Sequence, residues 1–239
     1  MRIAVLSDVH SNLHALEAVL AEIDQSSIDE LWCLGDLVGY GPRPNECVAL
    51  LQERTSICLG GNHDLVVLGK IPIAAFAGEA AAAASWTRGV LDSPARAFLD
   101  TLAPSAAAPG AELFHGSPRD PVWDYVLSDA TARESLLATS EPLVLVGHSH
   151  VALRFDPDAR GETAAAGTVV ELAPKRLLLN PGSVGQPRDG DPRAAWLEID
   201  NSSGRATFRR TTYPVERTQA EMRERGLPEP LAERLAHGV

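Results

Sequence analysis

Residues 1–60 alternate short apolar runs with amphipathic stretches, and that alternation admits few folds. Arg2 to Leu6 reads as a buried strand, and Leu31 to Leu34 and Ser56 to Leu59 are strand-like as well. Between the first two, Asn12 to Ile23 sets Leu13, Leu16, Val19, Leu20 and Ile23 on one helical face. Pro44 to Gln52 supplies a second helix before the third strand. Strand–helix–strand order of this kind predicts an α/β core with parallel pairing.

The remainder changes character twice. Leu65 to Leu102 is alanine-rich and helical, with Ser93-Pro94 as N-cap and first turn of its last helix. An Ala/Pro/Gly loop follows, then a strand at Ala111 to Phe114, a helix at Asp129 to Ala138 and a strand at Leu143 to Val146. From Val151 the pattern is strand-turn-strand, over Val151–Phe155, Thr168–Leu172, Arg176–Leu179, Ala194–Ile199 and Ala206–Thr211. That pattern predicts an antiparallel half in a second sheet, with Asp156 to Gly167 as a hairpin loop. The tail from Val215 reads as two short helices broken at Gly226-Leu227-Pro228. The 239 residues, 45% apolar, make one domain with a helical insertion at about 65–102 and a helical tail at about 215–239.

Charge and cysteine usage narrow the partners. With 32 Asp plus Glu against 21 Lys plus Arg, the surface repels polyphosphate backbones unless metal ions intervene. Nucleic acid is therefore not expected as a general partner. No apolar run reaches the roughly 18 residues of a membrane span, and the N-terminal run turns polar too soon for a signal-peptide core. Cys33, Cys47 and Cys58 show no CxxC spacing and read as small buried hydrophobes of a reduced cytoplasm.

Five polar motifs follow apolar strands at their C-terminal ends, where open α/β sheets assemble ligand sites. They are Asp8-Val9-His10, Gly35-Asp36, Gly61-Asn62-His63-Asp64, His115-Gly116 and Gly147-His148-Ser149-His150. Taken singly, each is compatible with plain turn chemistry. Taken together they hold all but His14 and His237 of the seven histidines. Oxygen and nitrogen donors without cysteine suit a catalytic metal site rather than a structural zinc site.

In this order the motifs resemble the calcineurin-like metallophosphoesterases. Gly35 to Pro42 and Asn180 to Arg188 are similar to the small bacterial and archaeal, phosphodiesterase-like members, and the likeness runs over nearly the whole chain. The resemblance implies a four-layer α/β/β/α sandwich, two mixed β-sheets flanked by helices. It implies hydrolysis of a phosphoester or phosphoanhydride bond in a small, nucleotide-like substrate, by a phosphatase, phosphodiesterase or dinucleoside polyphosphate hydrolase. It assigns Asp8, His10 and His150 to one divalent metal and Asn62, His115 and His148 to another, with Asp36 bridging through its two carboxylate oxygens. Manganese, iron and zinc all suit such donors. Two such cations, about 3.5–4 Å apart, would share the hydroxide that attacks phosphorus in line. His63 resembles the family histidine that protonates the leaving oxygen or holds a phosphoryl oxygen.

Two positions depart from the phosphoprotein phosphatase branch, whose Gly-Asp motif continues with an Asp and an Arg that orient the histidine and grip phosphate. Gly39 and Tyr40 stand there instead, which argues against protein-phosphatase activity. Asp64 or another carboxylate is then expected to orient His63. Phosphate contacts fall to Arg188 and Arg119, each alternatively an ordinary ion pair. Asn12 is either a further donor to substrate or a helix cap, and Trp123 and Tyr125 either stack a nucleobase or pack. The rival reading is a catalytically silent binding scaffold on the same fold, against which stands the intact ligand set.

Overall fold

The computed structural model describes residues 1–156 and 161–239. The chain opens as expected: β1 (Arg2–Leu6), α1 (Leu13–Asp24), β2 (Glu30–Cys33), α2 (Pro44–Arg54) and β3 (Ile57–Cys58). β1 pairs parallel with β2 (Ile3 opposite Glu30), and β2 pairs parallel with β3. The insertion comprises α3 (Asn62–Leu68), α4 (Gly78–Val90) and α5 (Ser93–Asp100). Asp92, not Ser93, caps α5 by accepting the Ala95 N–H at 2.8 Å, so Ser93 and Pro94 are its first two residues. Either side chain can cap; Asp92 is the one whose carboxylate reaches the N–H of the third helical residue, Ala95.

The second half weaves between two sheets. It contains β4 (Ser105–Ala108), β5 (Ala111–Phe114), α6 (Asp129–Leu137), β6 (Leu143–Val146), β7 (Ala152–Phe155), β8 (Glu162–Thr163) and β9 (Val169–Glu171). There follow β10 (Leu177–Pro181), β11 (Ala194–Asp200), β12 (Arg205–Thr211), α7 (Val215–Glu224) and α8 (Glu229–Glu233). One six-stranded sheet has the order β3-β2-β1-β11-β12-β9, the other β4-β5-β6-β10-β7-β8.

The C-terminal strands, expected as an antiparallel half of the second sheet, divide instead between both sheets. With β2 on one side, β1 still presents an open edge, and a buried open edge leaves unpaired peptide groups. β11 fills it antiparallel, Arg2 opposite Asp200, and carries β12 and β9 with it. β10 and β7 extend the other sheet from β6. β4 was hidden in what reads as an Ala/Pro/Gly loop, because Ser-Ala-Ala-Ala has no strand propensity. Its pairing with β5 makes it a strand all the same. Within the expected hairpin loop, residues 157–160 lie outside the described residues, and Glu162–Thr163 pairs with β7.

Side-chain alternation builds the four layers. Ile3 and Val5, Trp32 and Leu34, Leu145, Leu179, Leu197 and Phe208 meet between the sheets. Their neighbours Ala4, Leu6, Leu31 and Cys33 point the other way, onto Leu16, Val19, Val48 and Leu51 of α1 and α2. Val144, Val146 and Leu178 face Ala132 and Leu136 of α6. Strands apolar on both faces are thus covered on both faces, each fully buried Leu or Ile contributing about 1.5–3 kcal/mol. The tail packs Met222, Leu227, Leu231 and Leu235 against Ala83 and Trp86 of α4 and against Tyr40.

Candidate metal centre

All five motifs leave their strands at one end of the sandwich, and the backbone there is unusual. Seven non-glycine residues have positive φ among the described residues: Asp8, His10, Ser11, Asp36, Tyr40, His148 and His150. Left-handed backbone costs such residues on the order of 1–3 kcal/mol each and persists at sites that need a particular side-chain direction. Here five of the seven are expected metal ligands, all turned toward one centre. Gly61 lies so close to Asp36 that a Cβ would sit 2.1 Å from Asp36 Oδ1, which only glycine permits.

Two groups of donors result. Asp8, His10, Asp36 and His150 bring ligand atoms within 4.8 Å of one another, as do Asp36, His115 and His148. Asp36 belongs to both. Its Oδ1 accepts the His63 N–H at 2.9 Å, while Oδ2 has no partner and stands 3.5 Å from His10 Nε2 and 3.6 Å from His115 Nε2. A single oxygen therefore faces both groups, rather than one oxygen each. Asn62, the first residue of α3, puts Oδ1 3.1 Å from His115 Nε2 and joins the second group.

The donor set fits cations because its histidine nitrogens turn lone pairs inward. His10, His115 and His150 each donate Nδ1–H to a backbone carbonyl, of Val38 (3.1 Å), Leu34 (2.9 Å) and Gln186 (2.6 Å). Each Nε2 then carries a lone pair, the tautomer following from the partner. His10 Nε2 and His150 Nε2 face each other at 3.0 Å, and Asp8 Oδ1, Asp36 Oδ2 and His148 Nε2 have no hydrogen bond. Buried acceptors crowded together without a donor are costly unless a cation sits among them. Burial pushes the Asp8 carboxyl up to about 7 and, with the Asp64 carboxylate adding to it, Asp36 well above its ordinary value. Burial also lowers His10, His63, His148 and His150, so that the centre gains charge balance only from outside.

The sequence profile of the Calcineurin-like phosphoesterase superfamily domain matches residues 1–202. The chain belongs to that superfamily. An uncharacterized protein of Methanocaldococcus jannaschii is 36% identical over 241 residues, covering 99% of this chain and 98% of the relative. A crystal structure of a metallophosphoesterase from Sphaerobacter thermophilus superposes with a TM-score of 0.92 at 42% identity, covering 100% of both chains. A hypothetical protein of Pyrococcus horikoshii has the same fold, with a TM-score of 0.80 at 20% identity over 100% of this chain and 98% of that one.

Around the phosphoesterase centre, several side chains stand differently from expectation. Asp64 does not orient His63. Its carboxylate accepts the N–H groups of Gly61 (2.8 Å), Leu37 (3.3 Å) and Val38 (3.1 Å), tying α3 to the loop after β2. His63 is held instead by rings: Tyr40 and Phe76 at 4.4 Å between centroids and His10 at 4.7 Å. Its Nδ1 has no partner and lies against Gly39, where a Cβ would come within 2.5 Å. Glycine at this position (φ +98°) is thus required by the ring it accommodates.

Of the two candidate arginines, the structure brings only Arg188 to the centre. Its guanidinium donates to Gln186 Oε1 at 2.9 Å and lies over the Tyr40 ring, 5.9 Å from the centroid, and Nε has no partner. Arg119 is instead an exposed surface ion pair with Asp124 (2.9 Å) and Glu134, because the loop after β5 brings Asp124, and α6 brings Glu134, beside it. Asn12 is a cap and a tie. Its Oδ1 accepts from Ala15 N (3.2 Å) and Thr218 Oγ1 (3.1 Å), and Nδ2 donates to the Gly185 carbonyl (2.8 Å), which ties the amide to the helix, the tail and the Gly185 loop. Tyr125 stacks on His148 at 4.0 Å and 10°, and Trp123 meets Phe76 edge-on at 5.9 Å, so both aromatics form an exposed rim over the centre.

Residues that sequence reasoning did not assign do the positioning. Asn180 donates to the Gly147 carbonyl at 2.7 Å and Ser183 Oγ to the Asp8 carbonyl at 2.7 Å, clamping two ligand loops together. Asp8 Oδ2 accepts the His148 N–H at 3.1 Å, which turns Oδ1 inward. The Asn180–Arg188 likeness was the available signal; the direction of these hydrogen bonds was not.

Proposed function

We propose that this phosphoesterase binds two divalent cations and hydrolyses a phosphoester or phosphoanhydride bond in a small, nucleotide-like substrate. The observation that carries it is Asp36 Oδ2, unpartnered between two groups of lone-pair donors. Asp8, His10 and His150 would hold one cation, Asn62, His115 and His148 the other, and Asp36 both; manganese, iron and zinc suit these donors. Bound there, the cations supply an activated water and neutralise charge on the phosphoryl oxygens. Arg188, hydrogen-bonded to Gln186, with no partner at Nε and no ion pair among the described residues, is placed to grip a phosphoryl oxygen. His63 stands between the ligand His10 and the rim, where it reaches the same phosphoryl group. Phe76, Trp123 and Tyr125 offer ring faces and edges to an aromatic base outside the centre.

The test is a substrate screen with added Mn²⁺ on p-nitrophenyl phosphate, its bis ester and dinucleoside polyphosphates. Hydrolysis of at least one is expected, lost on chelation and restored by readdition. Turnover that survives chelation would refute metal catalysis; a blank screen with a stoichiometric protein partner recovered from metal-free protein would favour the scaffold.

Cation binding is also expected to show in stability. Filling the lone-pair cluster at a hundred times the dissociation constant adds about 2.7 kcal/mol, which is about 5–10 °C in unfolding midpoint for a chain of this size. A calorimetric midpoint that Mn²⁺ does not move would count against occupation of the centre.

A further inference from the structure

We propose that Tyr40 is the positioning residue for Arg188, its ring forming the platform on which the guanidinium is held toward the phosphoryl position. The proposal rests on the phosphoesterase reading above and adds to it the residue that aims its arginine.

Tyr40 is fixed independently of Arg188. Its φ of +53° is one that an aromatic residue adopts only where its surroundings impose it. Both chain neighbours take part. The His63 ring fills the place where Gly39 would carry a Cβ. Gly41 donates its N–H to the His10 carbonyl at 3.0 Å and lies so near that a Cβ would stand 2.4 Å from that oxygen. The Tyr40 ring meets His63 at 4.4 Å and His10 at 4.7 Å between centroids. Met222, Leu231 and Leu235 of the tail pack in the same cluster.

Arg188 arrives from a distant part of the chain and is tied at three points. Its backbone N–H donates to the His150 carbonyl at 3.1 Å, and its guanidinium donates to Gln186 Oε1 at 2.9 Å. Its Cζ lies over the Tyr40 ring, 5.9 Å from the centroid. Gln186 in turn accepts the His150 Nδ1–H at 2.6 Å through its own carbonyl. Two ties thus lead back to the cation donor His150, and the third leads through Tyr40 to His10. Arg43, Arg193, Arg209 and Arg210 are each held by a carboxylate, which fixes the side chain and neutralises it. A ring face attracts a guanidinium within about 6 Å and leaves its charge uncancelled. Arg188 has no ion pair among the described residues and no partner at Nε, so its charge and donors remain for an anion. Without the ring, the Gln186 amide alone would hold the guanidinium, and a long side chain on one hydrogen bond regains rotamer freedom.

Calorimetric titration of the Mn²⁺-loaded protein with inorganic phosphate, at fixed free Mn²⁺, tests this. Arg188→Gln is expected to weaken phosphate by about tenfold or more, as the loss of a charge-assisted contact requires. Tyr40→Leu should weaken it by about fivefold, the scale of a cation–π contact. With Arg188→Gln already present, Tyr40→Leu should cost less than about twofold, because no guanidinium is left to position. Tyr40→Phe keeps the ring and should bind within about twofold of wild type. Tyr40→Met, unbranched, serves the same cycle where Leu fails to fold. Equal losses in both backgrounds would assign the ring a general structural role and overturn the proposal, as would no loss at all. Bound Mn²⁺, measured by elemental analysis, should match wild type; a loss explained by missing metal would place the effect on His10 and overturn it too. Unchanged phosphate binding in Arg188→Gln would remove the arginine contact and the Tyr40 role together. A protein that shows the expected cycle yet hydrolyses no phosphoester would remove the phosphoesterase reading and leave the Tyr40–Arg188 pair standing.

Discussion

Replacing Asp36 by Asn is expected to empty both cation positions at once and to lower kcat by about 10³-fold, the scale of a lost preorganised electrostatic contact. The geometry makes this residue unlike the other ligands. Its Oδ2 faces His10 Nε2 and His115 Nε2 at nearly equal distance, so one oxygen serves two groups. An asparagine keeps the shape and keeps Oδ1 to accept the His63 N–H. It loses only the charge, and the chain should stay folded. Without cations the variant should even unfold at a higher temperature than the wild type. Burial and the neighbouring Asp64 disfavour the charged form of Asp36 in the folded state, so at any pH above its unfolded value the carboxyl costs stability that asparagine does not. Metal content by elemental analysis and unfolding midpoints with and without Mn²⁺ separate the two effects. Two cations retained at saturating Mn²⁺, with near-normal turnover, would sink the shared-oxygen assignment. The same loss at Asp8, which serves one group only, is expected to spare the second cation.

Much of this centre was legible because its donors sit at strand ends, and strand ends are set by local apolar runs. Asp8, Asp36, Asn62, His115 and His148 each stand within a few residues of the last residue of a strand. Their convergence needs only that the strands lie side by side. What failed to show in the sequence depends on partners distant in the chain. The joining of β1 to β11 is decided by an open edge, and β4 by pairing with β5, neither of which leaves a local pattern. The fate of Arg119 turned on Asp124 and Glu134, and that of Asn12 on Gly185 and Thr218. Long polar side chains choose among partners in three dimensions, so their roles are the least readable from order alone.

His63 offers the second large effect, and the structure changes its expected form. A histidine that protonates the leaving oxygen must carry a proton to give, and a carboxylate partner is the usual means of keeping it charged. His63 has none. Asp64 is committed to three backbone N–H groups, Nδ1 is unpartnered against Gly39, and the ring is packed between Tyr40 and Phe76. Burial, followed by the positive charge of Arg188, holds its pKa well below the ordinary value. The neutral imidazole that results can still donate one N–H to a phosphoryl oxygen, a contact worth about 10²–10³-fold when it strengthens in the transition state. His63→Gln is therefore expected to lower kcat by about 10²-fold on alkyl or nucleoside esters and on p-nitrophenyl esters alike. The phosphoryl oxygens are the same in both, and only the leaving groups differ. An acid role predicts the opposite, a large loss on the poor alkoxide leaving group and a small one on p-nitrophenolate, which departs without a proton. Bound metal should stay constant, because His63 stands in neither donor group. Steady-state rates of the variant on a matched ester pair decide between the two. A loss confined to the alkyl ester would restore the acid, and a fall in metal content would place His63 among the ligands.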